Sequence, residues 1–399
     1  MNQNRFQIIF KSLKILIFLF IFWALIFLTM PNLYGGELKR PLQGTRNLGM
    51  GNVGVALSHD ENALIYNPAG MAGADTVIVG VPFVFEISDD IIKLISAAQN
   101  LSSSSTGDTI KTFMGKRVHL RSMAKLNILI PFGKAMTLGA IYGGEVNFDL
   151  TIRNPVSPQF KTALRAEKEI LNGGVAFTLG RGRWLVGLGV EKYKRCDIPL
   201  TTISLKSLLD GETASTTCGE TDFSQGQTYS FGFQQRMESA STLRMVWGMS
   251  ARNLGGLKFA RKSGATNPVD QKPEYNFGIA MTPFDSMGFR NFYELDYRDI
   301  TFDHADDASY CNNNKYVADC NYKHIHIGTE FGFFPVDSAT SVLALRFGWN
   351  QGYFSYGFEL NPFIIIRTLN IQFASYKVET GDASGEPEGR KVLQINLGF

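Results

Sequence analysis

From about residue 76 onward the sequence alternates apolar and polar side chains with a period of two, in stretches of about 10 residues separated by turn-forming composition. Successive side chains of a strand point to opposite faces, so each stretch would present one apolar and one polar surface. The clearest case is Met136 to Leu150. There Met136, Leu138, Ala140, Tyr142, Val146, Phe148 and Leu150 share one face, and Thr137, Gly139, Gly143, Glu145, Asn147 and Asp149 share the other. The pattern returns at the end, where Lys391, Leu393, Ile395, Leu397 and Phe399 oppose Arg390, Val392, Gln394, Asn396 and Gly398. Helical periodicity is nearly absent.

Applied along the chain, this template predicts strands near 76–88, 118–130, 135–150, 167–180, 184–194, 226–237 and 241–253, then 273–282, 289–298, 322–333, 340–350, 353–360, 366–378 and 390–399. That makes about fourteen, an even number, as closed single-chain bacterial barrels require. Connections alternate in length. Short turns fall at Pro131 to Lys134, Arg181 to Arg183, Glu238 to Ala240 and Pro283 to Gly288, and long loops near 89–117, 195–225, 254–272 and 299–321. The two-residue hairpin at Gln351 and Gly352 is the exception. A soluble β-sandwich also alternates, but its apolar face is aliphatic and buried. Here Trp184, Tyr229, Trp247, Tyr275, Phe289, Trp349 and Tyr356 stand toward strand ends, as the aromatic girdles of membrane barrels do. The expected fold is therefore an all-β transmembrane antiparallel barrel.

Behind Arg5, Lys11 and Lys14, residues Ile15 to Met30 form an unbroken apolar run, and small or turn-forming residues follow to Gly36. This predicts a secretory signal peptide over 1–35, with a retained membrane anchor as the alternative. No later run is long enough for a helical span, so any further crossing must be by strands. The formal charge of +3 is small and partly carried by those three residues, which sets nucleic-acid binding aside. The terminal Phe399 resembles the signal read by barrel-assembly machinery, so the chain is expected among the lipids of a bacterial outer membrane.

Inward positions are rich in glycine: Gly139, Gly143, Gly187, Gly189, Gly232, Gly248, Gly278, Gly328, Gly348 and Gly357. Either another segment's backbone approaches them closely, or they relieve crowding where the wall curves. Residues Gly44 to Ala72 precede the strands and lack alternation. Pro68 removes a backbone donor and restricts Asn67, which marks a turn.

Through Gly49, Met50, Gly51, Val55, Ala56, Asp60, Ala63, Asn67, Pro68 and Ala69, this segment resembles the FadL and TodX family of outer-membrane transporters for hydrophobic compounds, and the related PorV-like barrels. The resemblance implies a fourteen-stranded barrel over 76–399 with a lumenal hatch over 36–75. It further implies a gate built on Gly49, Gly51, Asp60, Asn67, Pro68, Ala69 and Gly70, a hydrophobic small molecule as ligand, and a sideways exit. Tyr66 to Met71 and Asn253 to Leu257 look closer to the PorV-like branch, where a secretion-system protein would be the partner.

Alternation also turns Glu145, Asp149, Arg244, Glu294, Asp296, His324, His326, Glu330 and Arg346 inward, as a supporting charge network or a selective lining. Cys196, Cys218, Cys311 and Cys320 all fall in expected extracellular loops, where oxidation is favoured. Cys196 with Cys218 and Cys311 with Cys320 is the simplest of three pairings. Their spacing fits no zinc pattern, and neither a metal nor a cofactor is expected. Ser58, His59 and Asp60 are adjacent in sequence, unlike a catalytic triad, so no enzyme is expected.

Overall fold

The computed structural model describes residues 42–91, 117–153, 159–204, 218–237, 244–260, 268–286, 288–301, 323–336, 340–362, 369–378 and 387–398. The signal-peptide reading, Cys311, Cys320 and Phe399 lie outside them. Fourteen antiparallel strands close into one ring. They are β1 (Ile78–Ser88), β2 (Arg117–Phe132), β3 (Met136–Arg153), β4 (Gln159–Leu179), β5 (Trp184–Ser204), β6 (Ser224–Met237) and β7 (Arg244–Phe259). The ring continues through β8 (Glu274–Asp285), β9 (Phe289–Tyr297), β10 (Ile325–Pro335), β11 (Ser341–Asn350), β12 (Tyr353–Leu360), β13 (Leu369–Val378) and β14 (Glu388–Gly398). Pairing of β1 with β14, from Gly80 opposite Gly398 to Ser88 opposite Arg390, removes the last free edge.

Alternation decides which face meets what. On β3, Leu138, Tyr142 and Val146 are exposed while Thr137, Gly139 and Glu145 are buried. The outer surface carries aromatic ladders, one running Trp184, Phe233, Trp247 and Phe277 and another Phe331, Phe347, Phe354 and Tyr356. Trp184, Tyr229, Tyr275 and Tyr356 stand outward as expected, but Trp349 is only 7% exposed. From Trp184 to Lys192 on the outer side of β5 the strand rises about 26 Å. A tilt of about 40° reduces this to about 20 Å, close to the height of an apolar band crossing a bilayer.

The largest departure from the sequence expectation is the height of β4 and β5, each 21 residues long. Residues 195–204 continue β5 instead of opening a loop, because above the lipid the outward face no longer needs to be apolar. Cross-strand ion pairs hold this extension: Arg165 Nε lies 3.1 Å from Asp197 Oδ1, and Lys194 pairs with Glu169. Cys196 is consequently a strand residue, not a loop residue, and its disulfide to Cys218 fastens the chain entering β6 to β5. β7 likewise runs on to Phe259 through Asn253, Gly255 and Gly256, all at positive φ.

Leu188 stands outward at 51% exposure midway between Trp184 and Lys192. Leu188→Arg is expected to destabilise the barrel in lipid by about 2–4 kcal/mol. Reversible urea unfolding in vesicles measures this, and an unchanged midpoint would mean that this face does not contact acyl chains.

Candidate functional site

The lumen is filled by residues 42–75, which are buried almost throughout. Three short turns of helix organise them: α1 (Thr45–Gly49), α2 (Ala63–Tyr66) and a 3-10 turn over Pro68–Gly73. None is long enough to be stable alone, so packing against the wall must hold them. The Asn-Pro turn works as the sequence suggests. Pro68 occupies the first helical position, and Asn67 is extended at φ −154° with its Oδ1 accepting from Ala69 N at 3.1 Å. Tyr66 Oη donates to Asn52 Oδ1 at 2.6 Å and accepts from Gly44 N at 3.2 Å, tying the start of the plug to α2.

Most of the inward glycines serve close approach. A methyl group at Gly248 would lie 2.5 Å from the Val55 carbonyl oxygen, and one at Gly232 would lie 2.7 Å from Ala69 N. Gly187 faces Pro68 and Ala69, Gly278 faces Val55, Gly328 and Gly348 face Met50 and Gly51, and Gly357 faces Gly49. Gly139 meets the Met71 side chain, and Gly189 the Leu64 side chain. Gly143 is different: its neighbours are Ala124 and Lys125 of β2, so it relieves crowding within the wall.

Buried side chains complete the fit. The backbone of residues 54–57 makes no helix, and two carboxylates of β9 satisfy it. Asp296 Oδ2 accepts from Gly54 N at 2.9 Å and Val55 N at 3.1 Å, while Glu294 Oε1 accepts from Ala56 N at 2.7 Å and Leu57 N at 3.0 Å. Arg46 donates to Glu330 Oε2 and Asp60 Oδ2, each at 2.8 Å, and Glu330 also accepts from Arg346, which pairs with Glu359. Asn67 Nδ2 donates to Val55 O at 2.6 Å, Met249 O at 3.2 Å and Phe233 O at 3.3 Å. Gly51 N donates to Ser355 Oγ at 2.9 Å, and Gly51 O lies 2.9 Å from His326 Nδ1. The chain is a plugged transmembrane barrel of bacterial outer-membrane type.

The structure thus brings Gly49, Gly51, Asp60, Asn67, Pro68 and Ala69 together with Glu294, Asp296, His326, Glu330 and Arg346 at the plug surface. Gly70 packs against the Ser58 carbonyl inside the plug. His324, just before β10, is buried with Nδ1 2.6 Å from Arg298 O. Glu145 and Asp149 belong to a separate lumenal cluster nearer the outside. There Arg121 bridges Glu86 and Glu145 at 3.0 Å each, and His119 Nδ1 lies 2.8 Å from Asp149. Arg244 departs from its inward reading. It sits at the rim with its side chain 73% exposed, paired with Asp285 at 2.9 Å, because the first residue of β7 lies where the lumen opens to water.

Sequence reasoning overlooked Glu86, His119 and Arg121, which alternation in β1 and β2 would have turned inward; Arg390 was read onto the polar face of the last strand but not into this cluster. It also passed over Ile141, which is apolar yet faces the lumen at 1% exposure. Ser58 Oγ donates to Gly54 O and Asp60 is held by Arg46, so these groups serve the plug's own structure. Among the described residues no group of three His, Cys, Asp or Glu could hold a metal ion.

No family model and no curated protein matches the chain. Solved structures do. A TodX monoaromatic hydrocarbon channel carrying a deltaS2S3 mutation aligns with TM-score 0.49 and 10% identity over 91% of this chain and 98% of its own. The toluene transporter TbuX of Ralstonia pickettii aligns with TM-score 0.47 and 11% identity, over 89% and 97%. The CymD monoaromatic hydrocarbon channel aligns with TM-score 0.44 and 10% identity, also over 89% and 97%.

Two substitutions test the fit. Gly348→Val drives a side chain into the Gly51 amide, and is expected to lower the thermal midpoint and expose the plug to trypsin in the detergent-solubilised barrel. The outward Phe347→Val should leave the plug resistant. Arg46→Met leaves Glu330 and Asp60 without that cation and is expected to cost about 3–5 kcal/mol. Wild-type stability and protease resistance in both Gly348→Val and Arg46→Met would show that residues 42–75 are not seated as described.

Proposed function

We propose that the barrel admits hydrophobic small molecules passively across the outer membrane, with the plug as its gate. One observation carries this reading: an unbroken cluster of buried apolar side chains runs through the lumen. It starts at Leu257, Phe259 and Val378 near the extracellular strand ends, and passes Tyr193, Ile170 and Met123. From there it reaches Leu64 and Ile65 of the plug, with Leu129 and Ala176 beyond. In a lumen otherwise lined by paired charges, such a strip gives an apolar solute a route that keeps it out of water, worth roughly 25 cal/mol for each Å² covered. The likeness of Gly49 to Ala69 to the FadL and TodX hatch supports the gate. A sideways exit into the membrane follows the same energetics, since a lipid-like solute gains nothing from entering the aqueous periplasm.

The PorV-like reading, a barrel that anchors or assists a secreted protein, is favoured by the tall β4–β5 hairpin with its disulfide-fastened segment above the lipid. A stable protein partner lost on deleting that hairpin's upper part would support it.

Ile170→Asp places a charge in the middle of the strip. Uptake of a radiolabelled hydrophobic compound into cells is expected to fall at least about 10-fold, while heat-modifiable gel migration stays that of a folded barrel. Asn67→Ala, which removes the plug's contacts to Phe233 and Met249, should alter the uptake rate. Wild-type uptake in both variants would count against the route and the gate.

A further inference from the structure

Contact between plug and wall is lopsided. Among the described residues, the hydrogen bonds between plug and wall fall on β6, β7, β9, β10 and β12, apart from Lys125 Nζ to Asn62 Oδ1 at 3.3 Å and Gln394 Nε2 to Glu61 Oε1 at 3.4 Å. Across β3 to β5 the plug presents Leu64 to Gly174 and Gly189, Met71 to Gly139, and the Pro68–Ala69 backbone to Gly187.

Immediately above those contacts, the register places Asn127, Ile141, Asn172, Glu191 and Thr228 side by side on consecutive strands. Asn127 and Asn172 are 1% and 0% exposed, and neither the amide nitrogen nor the amide oxygen of either has a hydrogen-bond partner. Thr228 Oγ1 and the nearby Ser230 Oγ are equally without partners. Buried amides and hydroxyls are nearly always satisfied, and leaving several unpaired in one row is destabilising. Single unpaired atoms occur on other strands too, but among the described residues Asn127 and Asn172 are the side-chain amides left with both nitrogen and oxygen unpaired, and they stand two strands apart in one row.

We propose that this seam between the plug and the β2–β6 wall is a solute-binding site for an apolar molecule carrying one neutral hydrogen-bonding group, such as a phenol or an alcohol. The inference rests on the uptake reading and narrows its substrate class. The unpaired atoms include both donors and acceptors, which a hydroxyl satisfies together. A carboxylate would satisfy only the donors, and would approach Glu191, whose Oε1 is also without a hydrogen-bond partner. Ile141, standing inward between the two amides, would cover the solute's apolar body. Entry requires the plug to yield on this side, where few hydrogen bonds hold it, while its opposite side stays clamped to β9 and β10.

The test compares three matched probes on the purified full-length barrel: propylbenzene, 4-propylphenol and 4-propylbenzoate. The phenol is expected to bind about 10-fold more tightly than the hydrocarbon. The double variant Asn127→Leu with Asn172→Leu should abolish that preference while still binding propylbenzene, and its heat-modifiable gel migration shows that the variant is folded. Equal affinity of wild type for phenol and hydrocarbon would overturn the proposal and leave the uptake reading standing. Tighter binding of the benzoate, or a crystal structure in which ordered water satisfies both amides with the phenol bound, would also overturn it. Failure of all three probes to bind would remove the uptake reading as well.

Discussion

Every strand in this molecule must find a hydrogen-bonding neighbour, because the hydrocarbon interior of a membrane offers none. Closure of β1 on β14 is therefore the condition on which the rest depends. Once the ring is closed, the two-residue period assigns each side chain to lipid or lumen, and hydrophobicity is inverted relative to a soluble protein. Large apolar groups such as Phe85, Tyr142 and Leu188 are exposed, while Glu167, Arg195 and Asn172 are buried.

A lumen lined in this way creates its own difficulty, since charges removed from water are costly unless closely paired. Two devices meet it. Within the wall, oppositely charged side chains stand on neighbouring strands, as Arg195 does with Glu167 and Arg121 with Glu86 and Glu145. At the centre, the plug's own backbone is the partner, with Gly54 to Leu57 giving four amides to two carboxylates. Glycine makes the second device possible, because only a bare Cα lets one backbone come within reach of groups on another.

Much of this was legible in the sequence. All fourteen strands could be placed from alternation, most within a few residues, because lipid imposes an apolar residue at nearly every second position. Where lipid ends, so does the signal. The upper parts of β4 and β5 read as loops because above the lipid charged residues such as Arg165 and Asp197 interrupt the apolar alternation, and Cys196 was misplaced with them. The candidate site was visible only in outline. Alternation marked Glu294, Asp296, Glu330 and Arg346 as inward, and the composition of Gly44 to Ala72 marked a compact element. Nothing local, however, connects Arg46 to Glu330 or Gly51 to Ser355, which are separated by 284 and 304 residues. Glycine at the wall positions left two readings open, and the structure divides them: most positions, such as Gly248 and Gly348, admit the plug, while Gly143 only eases the wall.

Those sequence separations bear on how the molecule assembles. The plug precedes every strand in the chain, yet the amides of Gly51 and Gly54 to Leu57 find their wall partners on β9 and β12, in the second half of the wall. Successive strands pair with one another, but the plug's contacts and the β1–β14 pairing span most of the chain, and those long loops must close before such contacts form. The most enclosed segment thus precedes the whole of the wall that encloses it, and its seat is complete only when the last-made strands are in place.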